Sequence, residues 1–363
     1  MSIIYKEDNN GIDFNEIHEI LVAAFDGRPF HEAELIKKAF LGSSKVVYAL
    51  DDDKLIGCAR AISDGEWSVI YNVALLPEYQ GKGIGKSLIK NLINQLKGQH
   101  IFTFTHPKTV SLYESLGFNR SKQAFKFVGH SSQEALKAQE EIGFTLPYGY
   151  RFDEEFYVER AFNKANTKNA EIRYSSDLSS TTFESIVKVL EKSFKRERDL
   201  EKTKKEFLAS QYYEFAFDGD KLIGCARLVS DGVEYAILLN VAVDPEYQGL
   251  GIASNIIKKL ADQVKGFNIF IHAHPGSASF YNGKPIFRRY KTAFVYNDGS
   301  LLSDERGKRF ALPNGFRWPD EYNKEEMKYY KGKIYGSLKQ SRWFNVLFSD
   351  FTFNWIWINC VWW

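Results

Sequence analysis

A chain of 363 residues, 44% hydrophobic and 26% charged, has room for about two ordinary domains and the balance of a folded protein rather than a disordered one. Its 48 basic and 46 acidic residues give a net charge of +2, which argues against a nucleic-acid surface, where basic residues cluster in excess. Cys58, Cys225 and Cys360 offer neither a disulfide framework nor a metal-ligand spacing, and neither a signal peptide nor an uncharged membrane-length run is seen, so no metal and a cytoplasmic location are expected.

In chain order, a helix is predicted over 14–25, where Ile17, Ile20, Leu21 and Ala24 follow helical spacing, and a second over 32–40. VVYALDDDKLIGCARAI reads as two strands joined by an Asp-rich hairpin turn. The stretch 67–76 is apolar enough for a strand buried on both faces. The small residues of 80–85 then open a helix carrying Ile84, Leu88, Ile89, Leu92, Ile93 and Leu96 on one stripe. A strand at 100–105, a short helix at 110–116 and a last strand at 124–128 complete the unit. This order describes an α/β domain with a mixed sheet flanked by helices.

The unit occurs twice. KLIGCARAISDG (54–65) returns as KLIGCARLVSDG (221–232), and NVALLPEYQGKGIGKS returns from Asn240 as NVAVDPEYQGLGIASN. GFTLPYGYRFDEEF is echoed by RFALPNGFRWPDEY. Duplication with small loop changes explains so steady an offset. It divides the chain into domains at 1–160 and 168–325, a polar linker at 161–170 and an unmatched tail at 326–363. Five of the seven tryptophans lie in 341–363. An interfacial membrane segment, a packing or partner-binding segment and an unselected terminus compete as readings of that tail, and a non-catalytic appendage is favoured.

The chemistry points first to PEYQGKGIGKS and its copy. Small residues run from a buried strand into a helix N-terminus, whose N–H groups lack intrahelical partners and sit at the positive end of the helix dipole. Such a site suits a diphosphate. A P-loop would need glycine where Gln80 stands, and the dinucleotide fingerprint fails on spacing, since the pattern is G-x-G-x-G. A plain strand-to-helix turn is the bland alternative, weakened by recurrence in both copies.

Q-x-x-G-x-G/A after a strand, at Gln80–Gly85 and again at Gln248–Ala253, resembles the acetyl-CoA signature of the Gcn5-related N-acetyltransferase (GNAT) superfamily, and the IGCAR-SDG hairpin resembles its small-amine branch. The similarity covers nearly all of both domains. It implies two tandem GNAT-like domains with acetyl-CoA as co-substrate and a small primary amine as acceptor, the amine attacking the thioester directly. Gln80, Gly81, Lys82, Gly83, Ile84, Gly85 and Lys86 would hold the diphosphate, with Val73 and Leu75 along the pantetheine arm. Gln248, Gly249, Leu250, Gly251, Ile252, Ala253 and Ser254, with Val241 and Val243, would do so in the second copy.

The resemblance further implies a tyrosine that protonates the leaving thiolate, matched by Tyr113 and Tyr281, each 33 residues after its glutamine. A core anchor for the short helix is the competing reading, and Pro285 interrupts the second copy's pattern. The strand before the loop offers no carboxylate base. His106 and His274, duplicated before proline at a strand end, are candidates, against a chain-turning role or loss of the proton to water. Asn72 and Asn240 are read as satisfying buried neighbours, and Cys58 and Cys225 as core residues. Two alternatives stay open: a protein or peptide N-acetyltransferase, and one half serving as a non-catalytic acyl-CoA-binding domain.

Overall fold

The computed structural model describes residues 3–25, 32–146, 150, 152, 171–282, 284–296, 310–313 and 316–318. The linker at 161–170 and the tail at 326–363 lie outside the described residues.

The first half runs β1 (Ile3–Lys6), α1 (Phe14–Ala24), α2 (Ala33–Leu41), β2 (Lys45–Asp51), β3 (Lys54–Ser63), β4 (Trp67–Leu75), α3 (Ile84–Gln95), β5 (His100–Phe104), α4 (Val110–Glu114), β6 (Phe118–Arg120), β7 (Ala124–Phe127) and α5 (Gln133–Ile142). The second repeats it: β8 (Ile172–Ser175), α6 (Phe183–Phe194), α7 (Leu200–Leu208), β9 (Tyr212–Asp218), β10 (Lys221–Ser230), β11 (Tyr235–Val243), α8 (Ile252–Gln263), β12 (Asn268–His272), α9 (Ala278–Asn282), β13 (Phe287–Arg289) and β14 (Ala293–Tyr296). The predicted hairpins, glycine-led helices and short helices are all present. The short strands β1 and β6 were not anticipated, since three or four residues carry too little alternation to register, and neither was the ten-residue helix α5.

Two seven-stranded sheets form, in the orders β1-β2-β3-β4-β5-β14-β6 and β13-β7-β12-β11-β10-β9-β8. Here the structure corrects the expectation that 124–128 ends the first unit. β7 crosses to the second sheet, between β12 and β13, while β14 from the second half fills the matching gap between β5 and β6. The halves therefore exchange one strand each.

Alternation along the strands explains why 67–76 is largely apolar. Ile70 packs beneath α3 with Leu88, Ile89 and Leu92, whereas its neighbours Val69 and Tyr71 face the other half, against Val229, Ile237, Leu239 and Phe270. The rings of Tyr71 and Tyr235 stack across this contact at 4.3 Å. Outside it, α1 and α2 cover the rest of that face through Ile17, Ile20, Leu21, Ile36 and Phe40.

Ion pairs reinforce the contact twice. Arg60 reaches Asp231 of the second half at 2.7 Å, and Arg227 reaches Asp64 of the first; all four side chains are essentially without solvent exposure. Each Asp first shapes its own hairpin turn: Asp64 accepts from the N–H groups of Glu66 and Trp67, and Asp231 from those of Val233, Glu234 and Tyr235. The remaining oxygen is presented to the opposite arginine.

Candidate active site

The repeated PEYQ segment is a set of anchors. Pro77 begins a single 3-10 turn, Tyr79 donates its hydroxyl to Asp51 at 3.0 Å, and the Gln80 amide donates to the Leu75 carbonyl at 3.0 Å. In the second copy Tyr247 bonds to Asp218 at 2.6 Å and Gln248 to the Val243 carbonyl at 3.1 Å. The loop is thus tied to the preceding hairpin and to the strand it leaves. The two glutamines, placed in the cofactor-binding set on resemblance, have their side-chain amides engaged inside the protein.

Beyond the anchors the backbone turns left-handed. Gly81 and Gly83 have φ of 74° and 83°, and Gly249 and Gly251 have 88° and 78°. Gly83 and Gly251 stand at the N-caps of α3 and α8 without a side-chain cap bond. The helical ladder starts only with the Ser87 N–H on the Gly83 carbonyl, and in the copy with Asn255 on Gly251. The N–H groups of Ile84, Gly85 and Lys86 therefore precede the ladder, at the positive end of a twelve-residue helix. A Cβ built on Gly81, Gly83 or Gly85 would meet nothing within 4 Å, and the same holds at Gly249 and Gly251. That open cradle of main-chain donors fits a diphosphate. Lys82 and Lys86 add exposed positive charge to the first cradle, where Leu250 and Ser254 stand in the second.

The strand feeding the cradle parts from its neighbour. β4 pairs with β5 only from Trp67 to Ile70, although it continues to Leu75. A bulge begins the divergence: Asn72, at φ 47°, and Val73 oppose one residue of β3. Past it, the Leu76 N–H donates to the Ile56 carbonyl, so alternation turns the main-chain groups of Val73 and Leu75 away from β3, toward the gap. β11 repeats this, with Asn240 at φ 53°, pairing to β12 ending at Leu238, and Val241 and Val243 in the matching places. Asn72 accepts from Arg60 Nε at 2.7 Å and Asn240 from Arg227 Nε at 2.6 Å, so both asparagines satisfy a buried neighbour. Cys58 and Cys225 are fully buried beside these bulges, and burial pushes both thiols up to about 12, as suits core residues.

Tyr113 on α4 is buried. Burial raises its phenol above the ordinary range, and hydrogen bonds with Thr103 and Thr105 pull the other way. Tyr281 on α9 is equally buried and is raised by burial alone. The positions matching Thr103 and Thr105 are Ile271 and Ala273, which have no hydroxyl. Sequence reasoning missed these threonines, whose only signal was polar alternation at the end of β5.

His106 and His274 each cap a 3-10 turn. Their Nδ1 atoms accept from the N–H of Lys108 and of Gly276, both at 3.1 Å. With Nδ1 accepting, a neutral ring carries its proton on Nε2. Their rings meet Phe144 and Phe310 edge-on. Among the described residues, no group of three or more His, Cys, Asp and Glu gathers as a metal site, and no helix is long and apolar enough to cross a membrane.

Comparison with known proteins places this geometry. A model described as an acetyltransferase (GNAT) domain matches residues 42–120, and one described as the acetyltransferase (GNAT) family matches 179–282. An uncharacterized N-acetyltransferase, ycf52, of Pyropia yezoensis is 33% identical over 132 residues, covering 34% of this chain and 74% of that protein. Serotonin N-acetyltransferase 2, chloroplastic, of Oryza sativa subsp. japonica is 27% identical over 130 residues, covering 33% of this chain and 64% of that one. Among solved structures, a tandem GNAT protein from the clavulanic acid biosynthesis pathway aligns over 81% of this chain and 98% of its own, with 13% identity and a TM-score of 0.45.

Proposed function

Because this chain belongs to the GNAT family of N-acetyltransferases, carrying its domain twice, we propose that it transfers an acetyl group from acetyl-CoA to a small primary amine, with the N-terminal centre as the principal one. The open glycine cradle at the start of α3, beside a strand that has left its neighbour, is the observation that carries this reading. Gly81 to Lys86 hold the diphosphate through main-chain N–H groups, and Val73 and Leu75 run beside the pantetheine arm. Bound there, acetyl-CoA supplies the acetyl thioester. The remaining chemistry asks little of the protein. The acceptor must arrive at the gap between β4 and β5 with its amine deprotonated; the nitrogen bonds to the acetyl carbon as the carbon–sulfur bond breaks, Tyr113 delivers a proton to the sulfur, and the proton the nitrogen gives up passes to water, which reprotonates the phenolate. A thiolate is a good leaving group, so a phenol suffices as acid. His106 and His274 act in this reading as caps, because the nitrogen that would accept a proton is already accepting from the backbone.

The serotonin N-acetyltransferase likeness supports an amine acceptor. Lys82 and Lys86 favour the first cradle for an anion, and the apolar surroundings of Tyr281, with Pro285 following, favour a lesser role for the second. Calorimetric titration with acetyl-CoA, together with transfer assays on a panel of primary amines, tests this. The expected result is a tight site lost in Gly83→Trp, a weaker one lost in Gly251→Trp, and slow transfer in Tyr113→Phe. Absence of acetyl-CoA binding at millimolar concentration would overturn the reading.

A further inference from the structure

Behind each tyrosine runs a strand from the opposite half. The side chains of Thr103 on β5 and of Thr105, one residue past its end, pull the Tyr113 phenol down against burial, and the neighbour of β5 at that end is β14. The Thr105 N–H donates to the Thr292 carbonyl at 3.0 Å, and the Thr292 hydroxyl donates to the Thr105 carbonyl at 2.6 Å. Two residues on, Phe294 lies directly opposite Thr103, fully buried, with its ring stacked on that of Tyr113 at 6.2 Å and 24°. Phe118 meets the same ring edge-on at 5.4 Å. The tyrosine ring is thus backed by Phe294, on a strand whose Thr292 holds the end of β5 beside the phenol. Charged groups beside this contact are Arg120, over the Phe294 ring at 5.5 Å, and Glu114, 3.8 Å from Arg120.

The reciprocal place is built less fully. Phe125 of β7 lies 5.3 Å from Tyr281, and the Ala273 N–H donates to the Gln123 carbonyl at 2.8 Å. Ile271 and Ala273 offer the phenol no hydroxyl there.

We propose that Thr292 and Phe294, residues of the C-terminal half, are positioning residues of the N-terminal transfer centre, holding Tyr113 in place across the exchanged strand. This rests on Tyr113 being the acid of the proposed reaction. The N-terminal centre is then a joint product of both halves, and its rate depends on residues about 180 positions downstream of the tyrosine they hold.

A double-mutant cycle on the full chain, with acetyl-CoA and the best amine of the panel, tests it. Phe294→Ala is expected to lower kcat roughly ten- to a hundredfold, the penalty for a misplaced catalytic group, with KM for acetyl-CoA unchanged. In a Tyr113→Phe background the same substitution should change kcat less than about twofold, because the hydroxyl it positions is gone, while in a Tyr281→Phe background its effect should be complete. Thr292→Val, which keeps the side-chain shape, should show the same coupling pattern, and Thr292→Ser should restore the rate. It also covers the case in which Phe294→Ala fails to fold, as thermal unfolding would report. If Tyr113→Phe is slow while Phe294→Ala or Thr292→Val acts equally in both tyrosine backgrounds, or not at all, the cross-half positioning is wrong and the acid stands. If Tyr113→Phe leaves kcat unchanged, the acid assignment falls and takes the positioning with it.

Discussion

Three glycines that look alike in the sequence do different work. Gly57, in KLIGCAR, has no room for a side chain: a Cβ would sit 2.7 Å from Leu75 Cδ1 and 2.9 Å from the Ala74 carbonyl. Gly57→Ala should therefore cost about 1–3 kcal/mol through overpacking, read as a lowered midpoint in urea. Gly83 has open space but a left-handed backbone, so its replacement strains the chain and obstructs the cradle together. Gly85 has open space and a helical backbone, and its counterpart is Ala253. Gly85→Ala should raise stability by about 0.5–1 kcal/mol, since alanine loses less backbone entropy on entering a helix. Acetyl-CoA affinity should stay within about twofold, measured by titration, if Ala253 serves the second cradle as proposed. The glycine loop was legible because local spacing defines it, whereas the crowding at Gly57 comes from β4 and α3 and left no mark in the sequence nearby.

Elements explain why the IGCAR-SDG hairpin recurs so faithfully. Its arginine and aspartate meet across the two halves, with Arg227 also donating to the Glu206 carbonyl and Ser210 hydroxyl at 2.9 Å, so nearly every donor of a fully buried guanidinium is used. Removing Asp231 leaves Arg60 buried without its counter-charge, whereas Arg227 without Asp64 keeps Glu206 at 3.6 Å. Asp231→Ala should destabilise the protein by about 3–5 kcal/mol, observed in chemical denaturation, and Asp64→Ala by less, since Glu206 stays beside Arg227. Replacing Arg60 and Asp231 together with apolar residues of like volume should cost far less than either single change. Sequence reading took this hairpin as a family feature. Its partners lie 171 and 163 residues apart, a separation at which no periodicity connects them.

At the scale of the molecule, the exchange of β7 and β14 makes the two repeats one folding problem. Residues 1–160 alone would leave β5 and β6 without the strand between them, and an exposed β5 edge invites pairing with other chains. Expressed separately, that fragment should aggregate or associate on gel filtration, and co-expression with residues 168–325 should rescue it. The seam between halves also holds Glu206, whose carboxyl is pushed up to about 7 by burial and by its bond with Glu66, against Arg227 and Arg198. Glu66 itself is held low: desolvation opposes this, but its bonds with Lys202 and Glu206 prevail. Because folding raises the Glu206 carboxyl from its ordinary 4.5, the folded state keeps a proton there that the unfolded chain releases. Its contribution to stability therefore falls as pH rises from 4.5 to about 7, whereas that of Glu66 is lost only as pH falls below its ordinary range. Melting curves should show Glu206→Gln equal to the parent near the lower limit and more stable above the upper one.

What the sequence determined by itself is everything written in local spacing: the duplication, the hairpins, the amphipathic helices and the glycine loop that opens each of α3 and α8. Hydrophobic period and turn chemistry act over a few residues, so a linear reading recovers them. Only the tertiary structure decided which sheet each closing strand joins, which arginine meets which aspartate, and whose phenylalanine stands behind Tyr113. Ala124–Phe127 and Ala293–Tyr296 are four-residue strands that both begin Ala-Phe, so local pattern does not say which sheet each one joins. Choosing between them depends on the packing of the two faces and the buried charges sealed there, and those contacts exist only once both halves have come together.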